Sequence, residues 1–83
     1  MYVIVAYDSD PEERKNIRSV VIPHLSWIQN SVFAGEMTRV AALELYDALK
    51  EKVVDARITM WLIDRKPETF LIGRQEDMES SII

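Results

Sequence analysis

Residues 2–7, YVIVAY, are apolar at every position and rich in β-branched and aromatic side chains. A strand built from such a run has no wet side, so it demands cover on both faces and belongs inside a sheet. In a chain of 83 residues that demand is hard to meet. A domain of this size buries only about 60% of the surface its unfolded chain exposes, so self-association would help it.

The run ends on Asp8, and a helix start follows at once. Asp10 before Pro11 fits an N-cap with proline at the first helical position, and Glu13, three residues after the cap, is positioned to complete a capping-box pair. Ile17, Val20, Val21, His24 and Leu25 then recur at helical spacing, with Arg14, Lys15 and Arg18 off that stripe. Pro23 kinks or ends the helix. Residues 26–37, SWIQNSVFAGEM, read as extended, and Gln29-Asn30-Ser31 breaks the apolar alternation, which predicts a bend or a tight turn between two short antiparallel strands. Thr38 is placed to cap a second helix whose buried stripe is Ala42, Leu45, Tyr46, Leu49 and Val53. RITMWLI at 57–63 is another strand, DRKPE a turn, and residues 69–73 a short final strand.

This order, strand, helix, two strands, helix, strand, predicts an α+β, ferredoxin-like βαββαβ domain with an additional C-terminal strand and both helices on one face of an antiparallel sheet. It forms one domain over residues 1–73, followed by a polar tail over 74–83. The fold by itself says nothing about activity.

Composition narrows the chemistry. There is no cysteine, which removes disulfides and thiolate metal sites, and one histidine, which removes His clusters and Ser-His-acid or Cys-His pairs within one chain. Carboxylates remain as ligands for a hard cation. The apolar runs are too short to cross a bilayer, and the first residues lack a signal peptide's basic start and cleavage site, so a soluble, cytoplasmic protein is expected, with no membrane partner. The formal net charge of −4 argues against a blanket nucleic-acid-binding surface. Residues 11–39 nevertheless carry Arg14, Lys15, Arg18 and Arg39, while residues 64–83 are net acidic, so a local basic face is compatible with the sequence.

Asp8 is the first candidate for chemistry. Aspartate at a strand end ordinarily shapes a turn, but Ser9 and Asp10 already supply capping oxygens here, which leaves Asp8 as a carboxylate at the mouth of a sheet, near the positive end of a helix. One carboxylate is a poor metal site. Mg²⁺, however, commonly takes only one or two, with waters and substrate phosphate oxygens completing its shell, and a symmetric dimer would bring two Asp8 side chains. Arg14, Lys15 and Arg18 fit either a solvated helix face or a phosphate contact. His24 reads as a core or boundary residue, and Trp27, Phe33 and Trp61 read as core or dimer-interface residues rather than base-stacking platforms.

MYVIVAYD at the amino terminus, WIQNSVFAGEM after the first helix and the strand RITMWLI together resemble the CRISPR-associated protein 2 family over residues 1–63. The resemblance implies a homodimer of ferredoxin-like subunits that sits between dimers of the CRISPR integrase, the CRISPR-associated protein 1 family, and helps hold DNA fragments during spacer acquisition. It also implies an endonuclease activity, dependent on Mg²⁺, toward single-stranded RNA or double-stranded DNA, with Asp8 of each subunit as the metal-binding and catalytic residue. Tyr7, Ser31 and Phe33 fall on recurrent family positions. Lys15 most nearly matches a basic residue of the first helix, with Arg14 and Arg18 beside it, as nucleic-acid-binding residues. The strand at 69–73 would pair with the partner's sheet edge, as in related proteins. Two departures stand out: Trp27 occupies a position that is often basic, and Ala34 replaces a usual acid. No His or Lys presents itself as a general base, which leaves activation of water to the metal. A metal-dependent RNase toxin of the same fold and a non-catalytic binding module are the alternatives.

Overall fold

The computed structural model describes residues 1–73; the polar tail read over 74–83 lies outside the described residues. The elements are β1 (Tyr2–Asp8), α1 (Pro11–Val21), β2 (Ser26–Gln29), β3 (Val32–Glu36), α2 (Arg39–Lys52) and β4 (Arg57–Ile63). They form a four-stranded sheet in the order β2-β3-β1-β4, every neighbouring pair antiparallel. This is the ferredoxin-like arrangement expected from the element order, with the apolar run YVIVAY between two strands.

Side chains alternate across β1. Val3, Val5 and Tyr7 point to the helix layer and are buried, joining Ile17 and Val21 of α1, Ala42, Leu45 and Leu49 of α2, and Phe33 of β3 in one core. Ile4 and Ala6 point the other way, where cross-strand register sets Ile4 beside Ala34 and Trp61, and Ala6 beside Val32 and Thr59. Both helices lie on the first face, so among the described residues none covers the second, and Trp61 there is 48% exposed. The two-sided demand of YVIVAY is thus met on one side only.

The helix starts follow their local chemistry. The Asp10 carboxylate accepts the Glu13 N–H at 2.8 Å, with Pro11 opening the helix, and the Thr38 hydroxyl accepts the Ala41 N–H at 3.1 Å. The reciprocal half of the capping box at α1 does not form. Glu13 is buried, and its carboxylate accepts the backbone N–H groups of Val54 and Asp55, the latter at 2.8 Å, and the Asn16 amide at 2.8 Å. A carboxylate can satisfy several donors at once, and the loop after α2 leaves two N–H groups needing an acceptor, so this tertiary contact wins over the local one.

These hydrogen bonds, first that from Asp55 and then those from Asn16 and Val54, hold the Glu13 carboxyl below its ordinary value of 4.5. Because the folded value is the lower one, the stabilisation is complete above the ordinary value and is lost as pH falls through the folded one. Glu13→Gln should therefore lower Tm at pH 7. It should also flatten the acid limb of a Tm-against-pH curve recorded by circular dichroism. An unchanged acid limb would mean that other carboxylates carry that dependence.

Other expectations need correction. Pro23 ends α1 at Val21, with Ile22 as C-cap, so the helical period stops short of His24, which is exposed rather than in the core or at its boundary. Leu25 still reaches the core. Tyr46, expected in the buried stripe, is 47% exposed, because α2 leaves an open groove of ≈ 480 Å³ against β4 that Leu43 and Tyr46 rim. Val53 is half-buried just past the helix end. The tight turn between β2 and β3 falls at Asn30-Ser31, where Asn30 takes a φ of 44°, a left-handed conformation that asparagine tolerates. The strand expected over 69–73 does not form within the chain: residues 66–72 have no regular structure, and Phe70, Leu71 and Ile72 are 82%, 65% and 98% exposed. An extended segment is stable only when a neighbouring edge takes up its backbone groups, and among the described residues no edge does so.

Candidate metal and nucleic-acid site

Tyr7 and Asp8 are adjacent in sequence but belong to opposite faces. The period of two sends Tyr7 into the helix layer, where it is 5% exposed, and leaves Asp8 exposed on the open face at the end of β1.

On the helix side, the Tyr7 ring stacks on Phe33 with centroids 6.3 Å apart and planes at 21°. The Tyr7 backbone N–H donates to the Ser31 carbonyl at 3.1 Å, which extends the β1–β3 ladder into the turn. Burial pushes the Tyr7 phenol up, opposed by the charges of Arg18 and Arg14 and by a hydrogen bond with the Ser31 side chain. At neutral pH the phenol is therefore a neutral donor and not a base. Arg14 and Arg18 act on this side from α1, where Arg14 and Lys15 are exposed and Arg18 is half-buried.

On the other side, Asp8 opens onto a cleft of ≈ 300 Å³ lined by Ala6, Tyr7, Asp8, Asn30, Ser31, Val32, Arg57 and Thr59. Its cation is Arg57, the first residue of β4, which the register sets directly opposite Asp8. Arg14, Lys15 and Arg18 are not among its lining residues. Sequence reasoning missed Arg57, because only the pairing of β1 with β4 puts it beside Asp8; the length match between the two apolar strands was the available signal. Phe33, by contrast, is a core residue with no exposure, and Ser31 joins the two sides through the turn.

Among the described residues no group of three or more acidic or histidine side chains could hold a metal ion. The oxygen donor present, one exposed carboxylate, suits a hard cation such as Mg²⁺ only as a partial site, to be completed by a second carboxylate, water or phosphate oxygens. The larger groove between α2 and β4 offers no alternative, since apart from Lys50 and Tyr46 its lining is apolar. No helix among the described residues is long and apolar enough to cross a membrane.

A ferredoxin-like domain carrying an acid and a guanidinium at one end of an uncovered sheet face is thus the class that fold and site define. Residues 1–67 match the family model for CRISPR associated protein Cas2, and the chain belongs to that family. It is 38% identical over 56 residues to a CRISPR-associated endoribonuclease Cas2 of Methanosarcina acetivorans, covering 68% of this chain and 64% of the relative. A namesake from Methanocaldococcus jannaschii is 33% identical over 75 residues, covering 90% of this chain and 65% of the relative. The match thus spans just under two thirds of those two proteins. One from Thermococcus kodakarensis is 30% identical over the full length of both chains. Among solved structures, a crystal structure of Cas2 superimposes with a TM-score of 0.79 at 33% identity, covering 89% of this chain and 87% of that one. Streptococcus pyogenes Cas2, with a TM-score of 0.67 at 21% identity over 76% of this chain and 86% of that one, shares the fold.

Proposed function

We propose that the chain works as a homodimer in CRISPR spacer acquisition, in the cytoplasm, holding DNA fragments between subunits of the CRISPR-associated protein 1 integrase. We further propose that it carries an Mg²⁺-dependent endonuclease activity centred on Asp8. The observation that carries this reading is the uncovered apolar sheet face with a lone carboxylate at its end. Ile4, Val32, Ala34, Trp61 and Ile63 share that face, and covering it with a second copy removes apolar area from water, worth about 25 cal/mol per Å². The same packing would bring two Asp8 side chains toward one axis. Like charges so placed repel unless a cation lies between them, and two carboxylates meet the usual protein share of a Mg²⁺ shell. The exposure of Phe70, Leu71 and Ile72 supports a further exchange, in which residues 69–73 add to the partner's sheet edge.

The names of the relatives, endoribonucleases, favour RNA as the first substrate to test, with duplex DNA second. A metal held by the Asp8 pair would supply Lewis-acid activation of water and would offset phosphate charge. The chain's own groups do the rest. Arg14, Lys15 and Arg18 attract the backbone along α1, and Tyr7 and Ser31 keep the end of β1 in register so that Asp8 faces the cleft.

The test joins assembly to activity. Trp61→Asp puts a charge into the proposed interface and should turn the dimer into a monomer by analytical ultracentrifugation. It should also remove Mg²⁺-dependent cleavage of both RNA and duplex DNA, and co-elution with the integrase. A monomeric variant that still cuts at the wild-type rate would overturn the shared site. A dimer that co-elutes with the integrase but never cuts would establish the binding role alone.

A further inference from the structure

We propose that Arg57 is the phosphate-binding residue of the Asp8 cleft, where its guanidinium holds a non-bridging oxygen of the nucleic-acid backbone. The inference rests on the nucleic-acid reading above and adds to it the anion partner of the site.

Four observations converge on Arg57. It is the directly opposed cross-strand partner of Asp8, which places both side chains on the open face with Cβ atoms about 4.5–5.5 Å apart. The two nevertheless form no ion pair; among the described residues the pair that forms is Met1 with Glu36. Arg57 is exposed, and its five donors, fixed in a planar fork, match phosphate geometry in a way an ammonium does not. The remaining polar lining, Asn30, Ser31 and Thr59, is neutral, so the cleft holds one acid for a cation and one base for an anion, the charge pattern of a metal–phosphate pair.

Its place is also held from behind. The Glu13 carboxylate binds the N–H groups of Val54 and Asp55, and the ladder with β1 begins at Arg57 itself, so the residue enters the cleft from a fixed stretch of backbone. The α1 cations do not duplicate it, since the charges of Arg14 and Arg18 act on the Tyr7 phenol in the helix layer. The indole of Trp27 is likewise turned away and donates to the Asn30 carbonyl at 3.0 Å.

The experiment measures binding, so that it does not depend on turnover. A fluorescein-labelled single-stranded RNA oligonucleotide is titrated with full-length Asp8→Asn protein, which spares the probe, and the anisotropy titration is repeated across a series of KCl concentrations. Adding Arg57→Gln should weaken binding about tenfold, the usual scale for a charge-assisted hydrogen bond. It should also lower the slope of log K against log salt by about 0.7 for each phosphate that is no longer neutralised. Arg57→Lys should keep the slope while binding more weakly than arginine. Arg65→Gln, an equal charge change outside the cleft, is the control. Affinity and slope indistinguishable from that control would overturn the assignment. So would a raised dimer dissociation constant with an unchanged slope, which would instead make Arg57 an ion-pair partner across the subunit interface. Failure of the underlying reading would show separately, as absence of RNA binding by the parent protein before Arg57 is touched.

Discussion

Asp8→Asn is expected to abolish Mg²⁺-dependent cleavage while leaving the fold and the dimer intact. The side chain is exposed at the end of β1 and outside the core, so an isosteric change there should alter stability by no more than about 0.5 kcal/mol. Its chemical effect is far larger. An amide oxygen carries no net charge, and in a symmetric dimer one substitution removes both carboxylates that would hold the cation. Even a residue that merely orients a metal ligand costs about 10–100-fold when removed, so removal of the ligand itself should exceed 100-fold. Cleavage of labelled RNA and duplex DNA at fixed Mg²⁺ measures it, with Tm and sedimentation as controls for fold and assembly. A rate equal to that of the wild type would assign the activity to another site or to a contaminating nuclease. The same variant, tested for spacer acquisition in cells, separates enzyme from adapter: acquisition that persists makes the carboxylate dispensable for DNA holding.

Phe33→Ala is the change expected to damage the protein most through its core. Phe33 has no exposed surface, stacks on Tyr7, and lies opposite Val5 and Trp27 in the sheet, so it is packed from both neighbouring strands. Truncating such a ring costs about 3–5 kcal/mol. Against a total stability of about 0.05–0.15 kcal/mol per residue, this is a large fraction of what holds the domain together. Urea denaturation should show a lower midpoint with an unchanged slope, whereas Phe33→Leu, which keeps much of the volume, should fold and bind RNA as the wild type does. A well-folded Phe33→Leu protein that no longer bound RNA would move Phe33 from the core to the site.

The reading of elements from local signals succeeded where the physics is local. Asp10-Pro11 and Thr38 mark helix starts because a side-chain oxygen three residues away is enough to cap them. Gln29-Asn30-Ser31 marks the hairpin because asparagine tolerates the turn's conformation. It failed where a distant partner decided. Glu13 has the right spacing for a capping box, but the loop at Val54 and Asp55 claims its carboxylate. Residues 69–73 have a strand's composition but pair with no strand among the described residues, and Tyr46 has core periodicity but stands at the open groove between α2 and β4.

The candidate site divides the same way. Asp8 was reachable as a candidate from sequence, because the capping oxygens at Ser9 and Asp10 freed it from helix duty and the family resemblance then pointed to the aspartate at the strand end. Arg57 was not, because register between strands far apart in the chain is set by which apolar faces meet, and no local signal encodes it. The amino-acid sequence alone therefore determined the two helices, the four strands of the sheet and their order, and named Asp8 as the candidate, since caps, turns and periodicity act over a few residues. Only the tertiary structure decided which charges stand together and which face of YVIVAY is left uncovered, since those depend on packing that joins the two ends of the domain.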